Sequence, residues 1–186
     1  EKELGLDGGR MAAYGSSAGG FNTLWLGLHP DQADPGSDDP VERMSTRLAA
    51  AGAADAQTSI DPAQMRAWVG AGLNYGGHAF GLPESEFDTF FARRKEYESH
   101  FHSLSPAALA RPDAPPVILI YTGWKQASER QHMDFVHSPA FGAGFMTIAA
   151  EQGQEATLLL PGGPGGGRWR SFLDAIAAQL DPALPE

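Results

Sequence analysis

The sequence predicts an α/β fold, a mostly parallel sheet of about four strands with helices on both faces. Short apolar runs alternate along the chain with longer segments of helical spacing, which is typical of parallel sheets with right-handed crossovers. The run from Pro116 to Tyr121 is rich in branched residues and apolar on both faces, as in a central strand. The 186 residues suit one domain, and 42% hydrophobic against 19% charged residues supply a packed core.

The first part of the chain is predicted to form two strands around one helix. An apolar strand over 10–15 precedes a helix over 18–28, where apolar residues recur at helical spacing. A polar, acidic loop follows over 30–43, and its aspartates lack the spacing of an EF-hand calcium loop. A small-residue strand is expected over 48–56.

A helical and loop insertion resembling a cap is predicted over about 61–110, within a single domain that spans 1–186. It opens with a helix over 61–68, where an aspartate N-cap precedes a proline at the first helical position. A loop rich in glycine and aromatic residues follows over 69–83. A helix over 85–101 is expected to begin at a capping-box pattern, and a short helical turn ends near Ala110.

The last part of the chain repeats the alternation of strand and helix. Strands are predicted over 116–122 and 155–160, with a helix over 138–152 between them and a C-terminal helix over 169–180.

Composition excludes several classes of function. The chain has 13 Lys and Arg against 23 Asp and Glu, a net charge of −10, which disfavours nucleic acid and anionic membrane surfaces as partners. The longest apolar run, Val117 to Tyr121, is far shorter than the ~20 residues of a membrane span. Cysteine is absent, so disulfides, thiol nucleophiles and cysteine-ligated zinc are excluded. We predict neither a metal nor a cofactor, and the sequence does not indicate a compartment.

The segment Gly15-Ser16-Ser17-Ala18-Gly19 matches the G-x-S-x-G pattern of a nucleophile elbow. It lies between a predicted strand and a predicted helix, which is the context that this turn requires. The pattern predicts Ser17 as a nucleophile, with the backbone N–H of Ala18 placed to stabilise an oxyanion. An ordinary glycine-rich turn with a serine N-cap is the alternative.

Three stretches of the chain resemble the α/β-hydrolase superfamily, and within it the esterase and lipase-like enzymes. Leu6 to Gly20 looks like the elbow strand and turn, Asp134 to Gly142 like the acid loop and its helix, and Leu158 to Gly162 like the last strand. The resemblance implies a partial α/β-hydrolase fold and a carboxylic ester hydrolase that acts through an acyl-enzyme on a small-molecule ester. The alternative is a weak or inactive fragment that serves as a binding or assembly module.

The resemblance implies the order serine, aspartate, histidine. Asp134 is the candidate acid, because it is the only aspartate between the strand at 116–122 and the strand at 155–160; Glu129 is the other carboxylate before the predicted helix at 138–152. Ser16, His78 and Trp124 are candidate substrate-binding residues.

The histidine departs from the family pattern. Residues 161–170 contain none, although the resemblance places the base there. His132 and His137 flank the candidate acid, and a rearranged loop would offer one of them to the serine; His137 is our candidate base. The remaining histidines are alternatives, namely His29, His78, His100 and His102. Without the usual base, we expect weak or absent activity.

The opening residues, Glu1 to Gly5, resemble the last turn of a helix, so we expect an upstream segment to be missing. The family's earlier strands, and the loop with its second oxyanion donor, would precede the strand at 10–15. One edge of that strand would then lack a partner, and the helix face with Leu24 and Leu28 would be exposed. We therefore predict a homodimer or larger assembly, formed through this edge or by exchange of elements between chains.

Overall fold

A computed structural model describes residue 5 and residues 7–122, 134–161 and 172–180. Its centre is a four-stranded parallel sheet in the order β1-β2-β3-β4, which confirms the predicted fold class. The strands are β1 (Ala12–Ser16), β2 (Ala50–Ala54), β3 (Val117–Ile120) and β4 (Ala156–Leu159). All four overlap the predicted ranges and are shorter than expected; β2 has five residues where nine are predicted, and β1 ends one residue later, at Ser16.

Helices lie between successive strands, and a further helix follows β4. They are α1 (Ala18–Leu28), α2 (Pro62–Val69), α3 (Phe87–Ala92), α4 (Glu98–Leu104), α5 (Pro106–Leu109), α6 (Pro139–Gln152) and α7 (Phe172–Leu180). Single 3-10 turns lie at Gly77–Phe80, Glu84–Glu86 and Arg94–Tyr97. Within the described ranges, no helix is long and apolar enough to cross a membrane.

Alternate residues of the strands pack against opposite layers of helices. Ala53 and Leu119 belong to the larger core, which also contains buried residues of α1 and α6. Ile118 and Leu159 belong to a second core, which they share with Ile176 of α7. Since successive side chains of a strand point to opposite faces, this division confirms that helices cover both faces of the sheet.

The single helix expected over 85–101 is wrong. The chain instead forms α3, a 3-10 turn and α4. The capping box does not form, because Ser85 lies inside the 3-10 turn Glu84–Glu86 and the N-cap of α3 is Glu86, which makes no side-chain cap hydrogen bond. A straight helix would separate positions 90 and 101 by about 16 Å along its axis. The rings of Phe90 and Phe101 nevertheless lie 5.0 and 5.6 Å from that of Phe80. Breaking the helix lets both rings pack on Phe80.

The helix face with Leu24 and Leu28 is buried, so the expectation that it is exposed is also wrong. Both side chains are 0% exposed, because α1 packs on β1, β2 and α5. The insertion therefore contacts α1 through α5. Its role as a cap stays a prediction.

The strand β1 is at one end of the described sheet. Met11 and Tyr14 beside that edge are 57% and 53% exposed. Association of two copies through β1 stays a prediction, which sedimentation at micromolar concentration would test.

Candidate active site

Ser17 occupies a strained turn between β1 and α1. Its φ of 51° and ψ of −121° are rare for any residue with a side chain and cost on the order of 1–3 kcal/mol. Two backbone hydrogen bonds hold the turn: Ser17 N–H donates to the carbonyl of Ala54, and Phe21 N–H donates to the carbonyl of Ser17, both at 2.9 Å. The serine therefore lies at the carboxyl end of the sheet, at the start of α1.

The glycine at position 15 makes this turn possible. A Cβ there would lie 2.3 Å from the carbonyl carbon and oxygen of Gly19, so any side chain would collide with the backbone of α1. Gly20 also has no room for a side chain, since a Cβ there would lie 2.9 Å from the Cβ of Ala56. Small residues thus let the first turn of α1 pack closely on β1 and β2.

The structure brings the three candidate catalytic side chains together. The Oγ of Ser17 lies 2.9 Å from Nε2 of His137, and Nδ1 of His137 lies 2.5 Å from Oδ2 of Asp134. With the imidazole proton on Nδ1, that nitrogen donates to the carboxylate and Nε2 accepts the serine hydroxyl proton. This is the arrangement in which an imidazole accepts a proton from a serine.

The electrostatics of Asp134 suit an orienting carboxylate. The hydrogen bond from the His137 ring, opposed by some desolvation, holds the pKa of Asp134 below its usual range. Its Oδ1 also accepts the backbone N–H groups of Val136 at 3.0 Å and His137 at 3.3 Å. The carboxylate is therefore ionised at neutral pH and anchored by its own loop.

The position of His137 follows from the start of α6. Ser138 is the N-cap of this helix and accepts the N–H of Ala140, and Pro139 occupies the first helical position. The histidine directly precedes this cap, so its backbone is fixed by the helix start on one side and the Asp134 turn on the other. An aspartate three residues before a histidine, just ahead of a Ser-Pro helix start, is the sequence signal for this arrangement.

The remaining predicted site residues have varied surroundings. Ala18 is the first residue of α1, where backbone N–H groups have no partner within the helix, and its oxyanion role stays a prediction. Ser16 is the exposed last residue of β1. His78 lies in the 3-10 turn at Gly77–Phe80, with its ring 4.8 Å from that of Tyr75. Trp124 lies outside the described residues.

Other candidate groups lie elsewhere or outside the described ranges. His29 hydrogen-bonds Gln32 at the far end of α1, and His100 and His102 are on α4. His132, Glu129 and residues 162–171 are outside the described structure. In the part of the chain that the structure describes, no three His, Asp or Glu side chains are grouped so as to hold a metal ion.

An open cleft of about 500 Å³ runs along α1 beside the insertion. Phe21, four residues after the serine, contributes to its wall together with aromatic side chains of the insertion. Its lining residues are Phe21, Asn22, Trp25, Ile60, Ala79, Phe80, Tyr97, His100 and Leu104.

No protein-family model and no curated protein matches the sequence. Several solved structures share its fold. A truncated carbohydrate esterase from gut microbiota is 15% identical, with a TM-score of 0.62 over 96% of this chain and 62% of its own. An acetyl ester-xyloside bifunctional hydrolase from Caldicellulosiruptor lactoaceticus is 20% identical, with a TM-score of 0.56 over 86% of this chain and 48% of its own.

A third similar structure is esterase Est2 from Thermogutta terrifontis, 20% identical, with a TM-score of 0.52 over 85% of this chain and 46% of its own. The chain therefore spans about half the length of these enzymes. The likenesses show that it has an α/β-hydrolase-like fold that covers part of theirs, as the sequence resemblance predicts.

Proposed function

We propose that the protein is a serine hydrolase of carboxylic esters. Ser17 is the nucleophile, His137 is the general base and Asp134 orients the histidine. The observation that carries the proposal is the continuous chain of hydrogen bonds from the serine hydroxyl through both ring nitrogens to an ionised carboxylate.

The geometry supports a two-step acyl transfer. As the Ser17 oxygen bonds to the ester carbonyl carbon, its proton moves to Nε2 of His137, and the Asp134 carboxylate stabilises the imidazolium. The oxyanion that forms is stabilised by the N–H of Ala18 at the positive end of α1. The carbon–oxygen bond of the leaving alcohol then breaks, and that alcohol oxygen takes the proton from Nε2.

Water completes the reaction. It attacks the acyl carbon while His137 takes one of its protons. The bond between the acyl carbon and the Ser17 oxygen breaks, the serine recovers the proton, and a carboxylic acid is released.

The base comes from an unexpected element. The expectation of weak activity depends on the lack of a histidine in residues 161–170, and His137 supplies an imidazole from the acid loop instead. Its partner Asp134 is three residues away, so both members of the pair belong to one short segment of the chain.

The aromatic cleft along α1 is lined by neither Ser17 nor His137, and we propose that it holds an apolar or cyclic group of the ester away from the reacting bond. Its wall begins at Phe21, one helical turn after Ser17. Two of the structural neighbours carry carbohydrate esterase or acetyl ester-xyloside hydrolase in their names, so acetylated sugars belong in the substrate panel beside aryl esters.

A fluorophosphonate probe tests the proposal, because it labels only an activated serine. We expect labelling of the wild type at Ser17 and none of Ser17→Ala, with p-nitrophenyl acetate hydrolysis lost in parallel. A folded wild-type protein that resists the probe would contradict the proposal and favour a binding or assembly module.

A further inference from the structure

Residues 55–58 follow β2, and each of them forms a hydrogen bond with one of two places in the chain. One place is the segment just after β3, and the other is the segment that carries His137 and begins α6. The first two hold the point where the chain leaves β3. The carboxylate of Asp55 accepts the backbone N–H and the hydroxyl of Thr122, both at 2.9 Å. The carbonyl of Ala56 accepts the buried hydroxyl of Tyr121 at 2.6 Å.

The next two residues hold the point where the chain returns. Nε2 of Gln57 donates to the carbonyl of Val136 at 2.6 Å, and the hydroxyl of Thr58 donates to the carbonyl of Phe141 at 2.7 Å. Gln57 is 4% exposed and Thr58 is 0% exposed. Both are polar groups in the core whose hydrogen bonds reach across to the start of α6.

The Gln57 contact is the one that bears on the candidate base. The carbonyl of Val136 and the N–H of His137 belong to the same peptide unit. Gln57 holds the carbonyl, and Oδ1 of Asp134 accepts the N–H at 3.3 Å. Both polar atoms of the peptide that carries the imidazole are thereby fixed, which sets the direction in which the ring projects.

The same strand end also holds the serine. Ala54, the last residue of β2, accepts the backbone N–H of Ser17. Asp55, which follows it, has a φ of 49°, a second strained non-glycine residue. The chain at the end of β2 therefore holds the elbow through Ala54, and the histidine segment and the start of α6 through Gln57 and Thr58.

We infer that Gln57 is a positioning residue, which sets the His137 imidazole against the Ser17 hydroxyl through the Val136–His137 peptide. The inference depends on the proposed function for its effect on rate, but not for its effect on the imidazole. A misplacement of about 1 Å between reacting groups lowers rates by about a hundredfold. Losing the amide donor should therefore act on turnover more than on substrate binding.

The test is Gln57→Met, which keeps the length of the side chain and removes its donor. The matched control is Gln64→Met on α2, whose amide oxygen accepts the hydroxyl of Ser59 instead of holding the histidine segment. Gln57→Asn, one methylene shorter, is a second variant in case the first does not fold. Turnover is normalised to fluorophosphonate-reactive serine, so that unfolded protein is not counted.

We expect kcat for p-nitrophenyl acetate to fall by about tenfold to a hundredfold in Gln57→Met, with KM and the Gln64→Met control unchanged. Proton NMR of His137 is the second readout. The proton on Nδ1, which is held by Asp134, should give a resonance far downfield in the wild type, and this resonance should shift or broaden in Gln57→Met alone.

The two readouts separate two kinds of failure. An unchanged Nδ1 proton together with an unchanged kcat per reactive serine would overturn the inference. A wild type that is neither labelled nor hydrolytic would contradict the proposed function, and a Gln57-dependent imidazole resonance would still support the positioning role.

Discussion

The Nε2 atom of His137 lies 2.9 Å from the Oγ of Ser17, although 120 positions of sequence separate the two residues. The contact depends on the parallel sheet. The elbow follows β1 and the histidine precedes α6, and the carboxyl ends of β1, β2 and β3 lie at the same edge. The carboxyl end of the sheet thus brings together the proposed nucleophile, base and acid from two distant segments.

Replacing Ser17 should separate catalysis from stability. Ser17→Ala and Ser17→Gly should both lose hydrolysis, because neither has a nucleophile. The free energy of unfolding of Ser17→Gly should be about 1 kcal/mol higher than that of Ser17→Ala, because glycine adopts a positive φ without steric cost. Urea denaturation of the two variants measures the difference. Equal stabilities would show that the turn is not strained.

The neighbouring glycines provide a matched pair for the close approach of α1. Gly15→Ala should destabilise the protein by about 1–3 kcal/mol or more, because its Cβ would lie 2.3 Å from the backbone of Gly19. Gly19→Ala should be neutral or stabilising by up to about 1 kcal/mol, since the added Cβ would meet no heavy atom within 4 Å beyond its neighbours and its own helix backbone, and alanine favours the helix. Thermal unfolding compares the two. A stable Gly15→Ala protein would contradict the described elbow.

The charge of Asp134 should matter more than its size. Asp134→Asn keeps the shape, but it removes the negative charge that stabilises the imidazolium and fixes the proton on Nδ1. We expect kcat to fall by about 10⁴-fold, as when a triad aspartate is changed to asparagine in a serine protease. Asp113→Asn, in the loop before β3, is the control and should hydrolyse esters normally. Comparable rates in the two variants would remove Asp134 from the mechanism.

Acid should weaken the fold through Asp61. Burial raises the pKa of this carboxyl, but its hydrogen bonds with Arg94, at 2.7 Å each, and with the N–H of Ala63 outweigh burial and lower the pKa overall. A lowered folded-state pKa means that the stabilisation is present above the unfolded pKa of about 3.9, and is lost as pH falls through the folded-state value.

The variant Asp61→Asn keeps an N-cap for α2 but loses this titration. Its free energy of unfolding should therefore fall less steeply than that of the wild type below about pH 4. Asp88 is the partner of Arg66, and its side chain is 91% exposed. The control variant Asp88→Asn should therefore keep the wild-type slope. Urea titrations at several pH values decide this, and parallel slopes for Asp61→Asn and wild type would refute the prediction.

Local patterns were sufficient to predict the sheet and the elbow. β3 is an apolar, branched run, and α1 has helical spacing, so each element follows from its own residues. The helix over 85–101 failed for a long-range reason, since the Phe80 ring recruits both Phe90 and Phe101. The spacing of apolar residues within 85–101 does not indicate a contact with the Phe80 ring, which lies in a different part of the chain.

The site was predictable only in part for the same reason. The G-x-S-x-G pattern points to Ser17, and chain order points to Asp134. Nearness to that acid favours His132 and His137 among the six histidines. Which of these two reaches Ser17 is a question of tertiary structure, because it depends on the distance across β2 between the elbow and the start of α6, and on the turn that precedes α6. Gln57 gave no signal at all, because a polar residue after a strand is common, and only its burial and its contact with Val136 reveal its place.

The most direct test of the account is the rate of Ser17 acylation in His137→Gln beside His29→Gln. His29 lies at the other end of α1 and hydrogen-bonds Gln32, so its variant should react with a fluorophosphonate and with p-nitrophenyl acetate as the wild type does. The account predicts that His137→Gln reacts at least about 10³-fold more slowly with both, since the serine has then lost its base. Equal acylation rates in the two variants would contradict it.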